Sequence, residues 1–214
     1  MIKKNMGKMI LTSLLILLPV FAGLMLWNDL PEQIATHWGV NGEPDGWTGK
    51  SFAVFGIPAF LIAVHWLCMA VTGSDKNNHN QTKKILEITF WICPVISIIC
   101  NGMVYCNAMG VELDVLKIGF LVIGVLFLIL GNYLPKCKHN YTIGIKIPWT
   151  LASEENWNAT HRFAGKVWVA GSILLLVCAF LPVAGTIWIA FCIMLVLVVL
   201  PTLYSYLYSR KHNE

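Results

Sequence analysis

The sequence predicts an all-α integral membrane protein with six transmembrane helices and both termini in the cytoplasm. Hydrophobic residues make up 57% of the 214 residues and charged residues only 12%, whereas about a quarter of a soluble domain is charged. Six apolar runs approach the roughly 20 residues that cross a bilayer. Lys and Arg also collect on alternate sides of these runs, as the positive-inside rule requires.

The six predicted spans lie at about residues 9–27, 52–72, 85–106, 115–134, 167–183 and 186–208. The first span resembles a secretory signal, because three lysines precede it. Its apolar core is longer than that of a signal, however, and no A-x-A-like cleavage site follows, so we interpret it as a retained helix. The fifth span is short, and the "PVAG" sequence that follows it predicts a tight helical hairpin.

The orientation follows from the basic residues. Two of them, Lys50 and Lys117, fall on one predicted side, and the other thirteen fall in the segments assigned to the cytoplasm: Lys3, Lys4, Lys8, Lys76, Lys83, Lys84, Lys136, Lys138, Lys146, Arg162, Lys166, Arg210 and Lys211. The formal charge of +4 therefore predicts contact with anionic membrane lipid at the inner leaflet. It gives no reason to expect direct binding of nucleic acid.

The first outer loop, residues 28–51, contains "LPEQIATHWGVNGEPDGWTGK". Asp29 and Pro31 predict a short helix that reaches His37, because they provide an N-cap and a proline in the first turn. The "NG" and "PDG" turn signals then predict that the chain folds back tightly. The residues expected to converge are His37, Trp38, Gly42, Asp45 and Trp47. They form either a binding surface or a turn flanked by tryptophans at the membrane interface.

The long fourth loop, residues 135–166, contains "NYTIGIKIPWTLASEENWNATHR". Its alternation over 141–147 has a period of two and predicts an extended segment, which must lie at the interface because an unpaired strand is excluded from hydrocarbon. Ser153, followed by two glutamates, predicts a helix N-terminus. This helix is expected to run into the fifth span, with Trp157, His161, Ala164 and Trp168 on one face.

Two interpretations of this loop stay open. In the first, it is an amphipathic elbow, with Trp149 and Trp157 as interface anchors and with Lys146 and Arg162 at lipid phosphates. In the second, it forms a polar pocket from Asn132, Asn140, Thr150, Thr160 and His161.

Neither a metal nor a cofactor is expected. Six of the seven cysteines lie in or beside apolar runs and no CxxC pair occurs, so they are interpreted as small apolar residues. Cys137 and His139 alone are two ligands without partners. The chain has no HExxH or GxSxG motif, and His37 and His161 are predicted on opposite sides of the bilayer, so we expect no enzyme.

The segment "GNYLPKCKHNYTIGIKIPWTLASEENWNATHRFAGK" resembles the signature of the SdpI/YfhL family of bacterial membrane proteins. The outer loop is similar to the motif of a small amino-terminal domain often joined to that signature. The resemblance covers nearly the whole chain. It groups residues 1–72 as an amino-terminal two-helix unit and 85–208 as a four-helix unit. Lys146 departs from the pattern, because the family usually has Arg at this position, and lysine lacks the bidentate fork of arginine.

This resemblance implies a plasma-membrane immunity protein that protects a cell from a secreted, membrane-active peptide toxin. It also implies signalling, by recruitment of a cytoplasmic transcriptional repressor. The outer-loop residues named above would meet the toxin, and the segment 141–147 would add a strand to a partner. The inner residues carried over from the signature or placed beside it are Asn132, Pro135, Asn140, Gly144, Lys146, Pro148, Trp149, Thr150, Trp157, Thr160, His161 and Arg162.

The main alternative is a small-solute transporter or channel, and a role in envelope stress is also open. His65, Glu87 and Asn101 fall within predicted spans, where polar and ionisable residues are functional candidates. The spans show no inverted repeat of the kind common in transporters.

Overall fold

The computed structural model describes residues 5–212 and is mostly helical. Six of its helical segments are long and apolar enough to cross a membrane, which confirms the predicted number of spans. The long helices are α1 (Met6–Met25), α2 (Ile57–Ser74, preceded by a π-helical turn at Phe52–Gly56), α3 (Lys83–Ala108), α4 (Val115–Tyr133), α6 (Glu154–Cys178) and α7 (Val183–His212). Short elements are the strands β1 (Gln33–Trp38) and β2 (Pro44–Gly49), the helix α5 (Pro148–Ala152), and 3-10 turns at Lys76–Asn80 and Leu134–Lys136.

The chain packs as two units. The first comprises residues 5–74 with Leu86–Val115, and the second comprises Asp75–Ile85 with residues 116–212. Most of α3 therefore packs with α1 and α2. The sequence-based grouping into 1–72 and 85–208 concerns sequence modules, which need not coincide with packing units, and it stays a prediction.

The helices of the first unit associate through polar groups as well as apolar contacts. The Ser97 hydroxyl on α3 donates to the Ile16 carbonyl oxygen on α1 at 2.8 Å. Between α1 and α2, the Thr12 hydroxyl lies 3.0 Å from Nε2 of His65. All three side chains are fully buried. Such interhelical hydrogen bonds stabilise membrane bundles, because lipid offers the same groups no partner.

The first loop folds as a β-hairpin, so the predicted short helix reaching His37 is wrong and the fold is not purely α-helical. β1 and β2 pair antiparallel, with irregular register on either side of His37. The hairpin turn contains Gly42 with a φ of 82°, and the Gly39 amide donates to the Glu43 carbonyl oxygen at 2.9 Å. The turn residues therefore outweigh the weak helix-start signal, because pairing the two strands satisfies the backbone along the whole segment.

Lys50 fixes the base of the hairpin. Its side chain is only 9% exposed and donates to the carbonyl oxygens of Leu30 at 3.0 Å and Trp27 at 3.2 Å. It also pairs with Glu32 at 2.8 Å. The two carbonyls follow the end of α1, where a cation interacts favourably with the helix dipole. Lys50 is thus held by structural contacts, which accounts for a lysine on the side that is predicted to carry few basic residues.

The second unit is built around α6 and α7. The buried Asn156 amide donates to the Ser205 carbonyl oxygen at 3.0 Å, and the Ser205 hydroxyl donates back to Asn156 Oδ1 at 2.7 Å. Helix α4 packs closely on α6 at Gly131, where an added Cβ would lie 2.9 Å from Cβ of Trp168. Small residues permit this close approach of membrane helices.

Ser153 caps α6 as predicted, since its hydroxyl accepts from the Asn156 amide at 3.2 Å. The helix then runs unbroken into the fifth span, which also confirms the prediction. It ends at Cys178, so the predicted end of this span at 183 and a turn centred on "PVAG" are wrong by a few residues. Val183 already begins α7. The positions of the termini relative to the membrane stay a prediction from the basic residues.

Candidate functional site

The loop between α4 and α6, residues 134–153, is held in a bent conformation by one amide side chain. It is called the closed loop below. Asn140 is fully buried, and its Nδ2 donates to the carbonyl oxygens of Lys138 and Ile143, each at 2.8 Å. Its Oδ1 accepts from the amides of Thr142 at 2.8 Å and Ile143 at 2.6 Å. This side chain thus replaces the backbone ladder that a strand would supply. The predicted extended segment at 141–147 is therefore wrong over residues 141–144, which bend around Asn140.

An imidazole joins the loop to α6. Nδ1 of His161 lies 2.8 Å from the Trp157 carbonyl oxygen, and Nε2 lies 3.0 Å from the Ile145 amide nitrogen. A carbonyl only accepts and an amide only donates, so Nδ1 carries the proton and Nε2 accepts. Both ring nitrogens are then satisfied within the protein. His161 is 1% exposed, which leaves no atom to act on a substrate.

Trp157 forms the floor beneath the loop. Its ring stacks on His161 with centroids 4.0 Å apart, and its Nε1 donates to the Cys137 carbonyl oxygen at 2.8 Å. Gly144 crosses above these rings with a φ of 117°. A Cβ there would lie 2.5 Å from Nε2 of His161. Glycine is required at this position both for its φ and for the lack of space.

Thr150 closes the far end of the loop. Its buried hydroxyl lies 2.7 Å from the Ile145 carbonyl oxygen and accepts from the Ile147 amide at 3.1 Å. Pro148 begins α5, the position where proline has no amide to lose. Trp149 packs against Tyr206 of α7, with ring centroids 5.1 Å apart.

Residues 75–82 form hydrogen bonds to this loop. These contacts were not predicted from the sequence. Asp75 Oδ2 accepts from the Tyr141 amide at 2.7 Å, and Asn78 donates to the Thr142 hydroxyl at 2.7 Å. Gln81 makes two bonds to Lys138, donating to its carbonyl oxygen at 2.6 Å and accepting from its amide at 3.1 Å. The polar run "SDKNNHNQT" was the available signal, but its partners are more than fifty residues away in the chain.

The side chains of Cys137 and His139 both make contacts within the protein. Burial raises the pKa of the Cys137 thiol to about 11, an effect that the hydrogen bond from Asn140 partly offsets. His139 lies 3.2 Å from the Leu151 carbonyl oxygen. Within residues 5–212, no group of three or more His, Cys, Asp or Glu side chains is arranged to hold a metal ion.

The predicted polar pocket divides into separate groups. Asn140, Thr150 and His161 meet through the loop backbone, whereas Thr160 donates to Asn156 at 2.9 Å in the contact between α6 and α7. Asn132 is exposed on α4 and belongs to neither group. Lys146, Pro148 and Arg162 are also exposed, and the Lys146 ammonium donates to the Thr142 carbonyl oxygen at 3.0 Å.

The outer hairpin brings part of its predicted group together. Nδ1 of His37 lies 2.5 Å from Oδ1 of Asp45, and both side chains are largely exposed. The two tryptophans diverge: Trp38 packs on the apolar core under the hairpin, while Trp47 is 57% exposed. The exposed face therefore combines an aromatic ring with the carboxylates of Glu43 and Asp45.

Several buried polar side chains also lie within the helices of the first unit, and they are called the polar seam below. His65 Nδ1, Asn101 Oδ1 and the Tyr105 hydroxyl each lack a hydrogen-bond partner within the described residues. At one end of α3, Glu87 is paired with Lys8 of α1. Unsatisfied polar atoms are costly in a bilayer, so this seam is the second place where function is expected.

Two protein-family models and one curated protein match this chain. Residues 136–205 match the SdpI/YfhL protein family, and residues 14–62 match a domain of unknown function, DUF1648. The chain is 27% identical over 210 residues to the immunity protein SdpI of Bacillus subtilis strain 168, covering 97% of this chain and 99% of the relative. No solved structure matches. The resemblance drawn from the two motifs is confirmed, and the chain is a multi-pass protein of the plasma membrane.

The closed loop predicts an unreactive thiol at Cys137. With a pKa near 11, about one molecule in a thousand carries a thiolate at pH 8, and the thiolate is the nucleophile. In protein that retains Cys137 as its single cysteine, we expect Gly144→Ala to raise the rate of maleimide labelling at least about tenfold, because opening the loop exposes the sulfur and lowers its pKa. Gly119→Ala is the control, since a Cβ there meets no atom within 4 Å. Equal rates in both variants would contradict the proposed closure.

Proposed function

Because residues 136–205 match the SdpI/YfhL protein family, we propose that this chain is a membrane immunity protein. It would protect its cell against a secreted, membrane-active peptide toxin. The observation that carries the proposal is the alignment with the Bacillus subtilis immunity protein over 97% of the chain. An alignment of this extent includes both the outer hairpin and the closed loop, so both regions lie within the similarity on which the proposal rests.

The outer hairpin is the proposed toxin contact. Trp47 and Val40 are 57% and 59% exposed, and they supply apolar contact area next to Glu43 and Asp45. Amphipathic toxins combine apolar and basic residues, which would meet these two kinds of group. Acidic residues also steer a cationic peptide toward the surface before contact. The pairing of His37 with Asp45 would keep the hairpin tip in one conformation.

The closed loop is the proposed signalling element. It would signal by binding a cytoplasmic transcriptional repressor. Strand addition is no longer the proposed mode, because residues 141–144 bend around Asn140. Instead, the exposed residues offer the surface: Tyr141 is 61% exposed, and a cavity of about 360 Å³ beside it is lined by Asn77, Asn80, Lys138, His139 and Glu154. A protein partner would contact this polar rim without entering the buried interior.

A second candidate function is translocation of protons or a small solute. The specific observation in its favour is the seam with His65, Asn101 and Tyr105, whose unpaired atoms would hydrogen-bond water or a permeating group. The Lys8–Glu87 pair adds an ionic contact between α1 and α3 in the same unit. A role in envelope stress has no particular structural feature in its favour.

Survival of a sensitive bacterial strain tests the leading proposal. Cells expressing the chain should survive one secreted membrane-active peptide from a panel and die from the others, because immunity depends on recognition. Membrane fractionation verifies that the protein is present. If every peptide kills cells with and without the protein equally, immunity is excluded for that panel. Proton flux in proteoliposomes, compared with His65→Phe, then tests the second candidate.

Charge reversal tests the role of the hairpin. We expect Asp45→Lys to lower the affinity for the protective peptide about two- to fivefold at low salt and less at high salt, as for an exposed ion pair. Binding of labelled peptide to vesicles containing the protein measures this. Glu112→Lys makes the same change of charge in another predicted outer loop and should have a smaller effect. Equal losses would indicate diffuse attraction and would reject the hairpin as the contact.

Separation of signalling from protection tests the loop. We expect Lys138→Glu with Tyr141→Ala to leave survival intact and to abolish the transcripts that toxin induces, because the variant alters only an exposed surface. Transcript sequencing before and after toxin measures the response. Lys84→Glu reverses an exposed charge elsewhere and serves as the control. An unchanged transcript response in the double variant would exclude this surface as the docking site.

A further inference from the structure

A cavity of about 490 Å³ opens beside α6 and α7, and its lining shares no residue with the rim beside Tyr141. Its walls combine cations with aromatic rings. Arg162, Phe163 and Lys166 come from α6, and Tyr204 and Tyr208 come from α7. The function proposed above makes no use of this cavity.

The two cations in the cavity are available to a ligand. Arg162 and Lys166 lie one helical turn apart, so their side chains extend over the same face. Both are exposed, and in residues 5–212 neither side chain makes a hydrogen bond or an ion pair. Like charges at this spacing destabilise a helix, and a bound anion between them removes that repulsion.

The cavity lies at the boundary between polar and apolar surface. Tyr204 stacks on Phe163 with centroids 4.4 Å apart and planes at 11°, and α7 ends one to two turns later in Arg210, Lys211 and His212. Aromatic and basic residues are enriched at this depth, where lipid headgroups lie. Beyond Lys166, the surface of α6 becomes apolar, with Ile173, Leu174 and Val177 about half exposed.

We propose that this cavity binds the headgroup of an anionic phospholipid. The phosphate would lie between the Arg162 guanidinium and the Lys166 ammonium, with the acyl chains along the exposed apolar residues of α6. Arginine offers planar, bidentate donors to phosphate, and lysine adds a compact charge. A zwitterionic headgroup such as phosphatidylcholine would bring its own cation toward these two residues. Free inorganic phosphate has no acyl chains, so it would lack the contact with the exposed apolar residues of α6.

Occupancy of this site would act on the helix that supports the loop. Arg162 directly follows His161, whose imidazole holds the Ile145 amide. Lipid bound at Arg162 would therefore favour one position of the helical turn on which the loop rests. The site goes beyond the proposed immunity function, because it does not depend on the presence of a toxin.

Native mass spectrometry of the full-length protein in detergent tests the proposal, with phosphatidylglycerol, phosphatidylcholine and inorganic phosphate as separate probes. We expect phosphatidylglycerol to bind more tightly than phosphatidylcholine. Arg162→Gln with Lys166→Gln should weaken its binding about 25-fold, since each cation near an anionic headgroup contributes about fivefold. The charge-preserving pair Arg162→Lys with Lys166→Arg should retain most of the affinity. Size-exclusion elution establishes that each variant is folded.

Lys83→Ala with Lys84→Ala is the matched control, because it removes two exposed positive charges outside the cavity. It should retain the affinity of the native protein. Equal binding of the two phospholipids, or an equal loss in this control, would overturn the proposal in favour of diffuse charge. Retention of tight binding by the glutamine pair would also overturn it. Inorganic phosphate that binds as tightly as phosphatidylglycerol would identify a phosphate site in place of a lipid site.

Discussion

Hydrocarbon offers no hydrogen bonds, and this constraint shapes both packing units. Each unsatisfied polar group in a bilayer costs several kcal/mol, and the polar side chains that join neighbouring helices reach carbonyls or one another. Ser97 reaches the backbone of α1, and Asn156 with Ser205 joins α6 to α7. The same requirement explains why the loop above α6 is closed: its bent backbone lies partly buried, and the side chains of Asn140, Thr150 and His161 supply the bonds that secondary structure would otherwise provide.

The residues of the family signature mostly serve architecture. Asn140, Thr150, Trp157 and His161 are almost completely buried, and Gly144 is required by its positive φ and by the ring beneath it. Chemistry by these groups is disfavoured, because both nitrogens of His161 and both ends of the Asn140 amide already have partners. Specificity for a ligand or partner must come from exposed positions around this frame. The buried residues therefore maintain the fold, and the exposed residues are the ones that could contact a ligand or partner. A motif match alone does not distinguish these two roles.

Outside the spans, the hairpin also provides partners for a buried polar group. Lys50 is almost buried, yet its charge is met by two carbonyl oxygens and a carboxylate. This anchoring leaves the opposite end of the hairpin free to expose Trp47, Glu43 and Asp45. A rigid base with an exposed tip suits recognition, because less conformational entropy is lost on binding. A paired arrangement of His37 and Asp45 limits the motion of the tip further.

The sequence by itself determined the six spans, the cap at Ser153 and the continuity of α6, because length, hydropathy and capping are local properties of the chain. Turn residues also placed the fold-back of the first loop. Only the tertiary structure decided that this loop is a hairpin and that residues 141–147 are not a strand. It also decided that Asn132 lies outside the polar group and that residues 75–82 support the loop. These outcomes depend on hydrogen bonds between residues distant in sequence, and the free energy of such bonds overrides the weak local preferences of short segments.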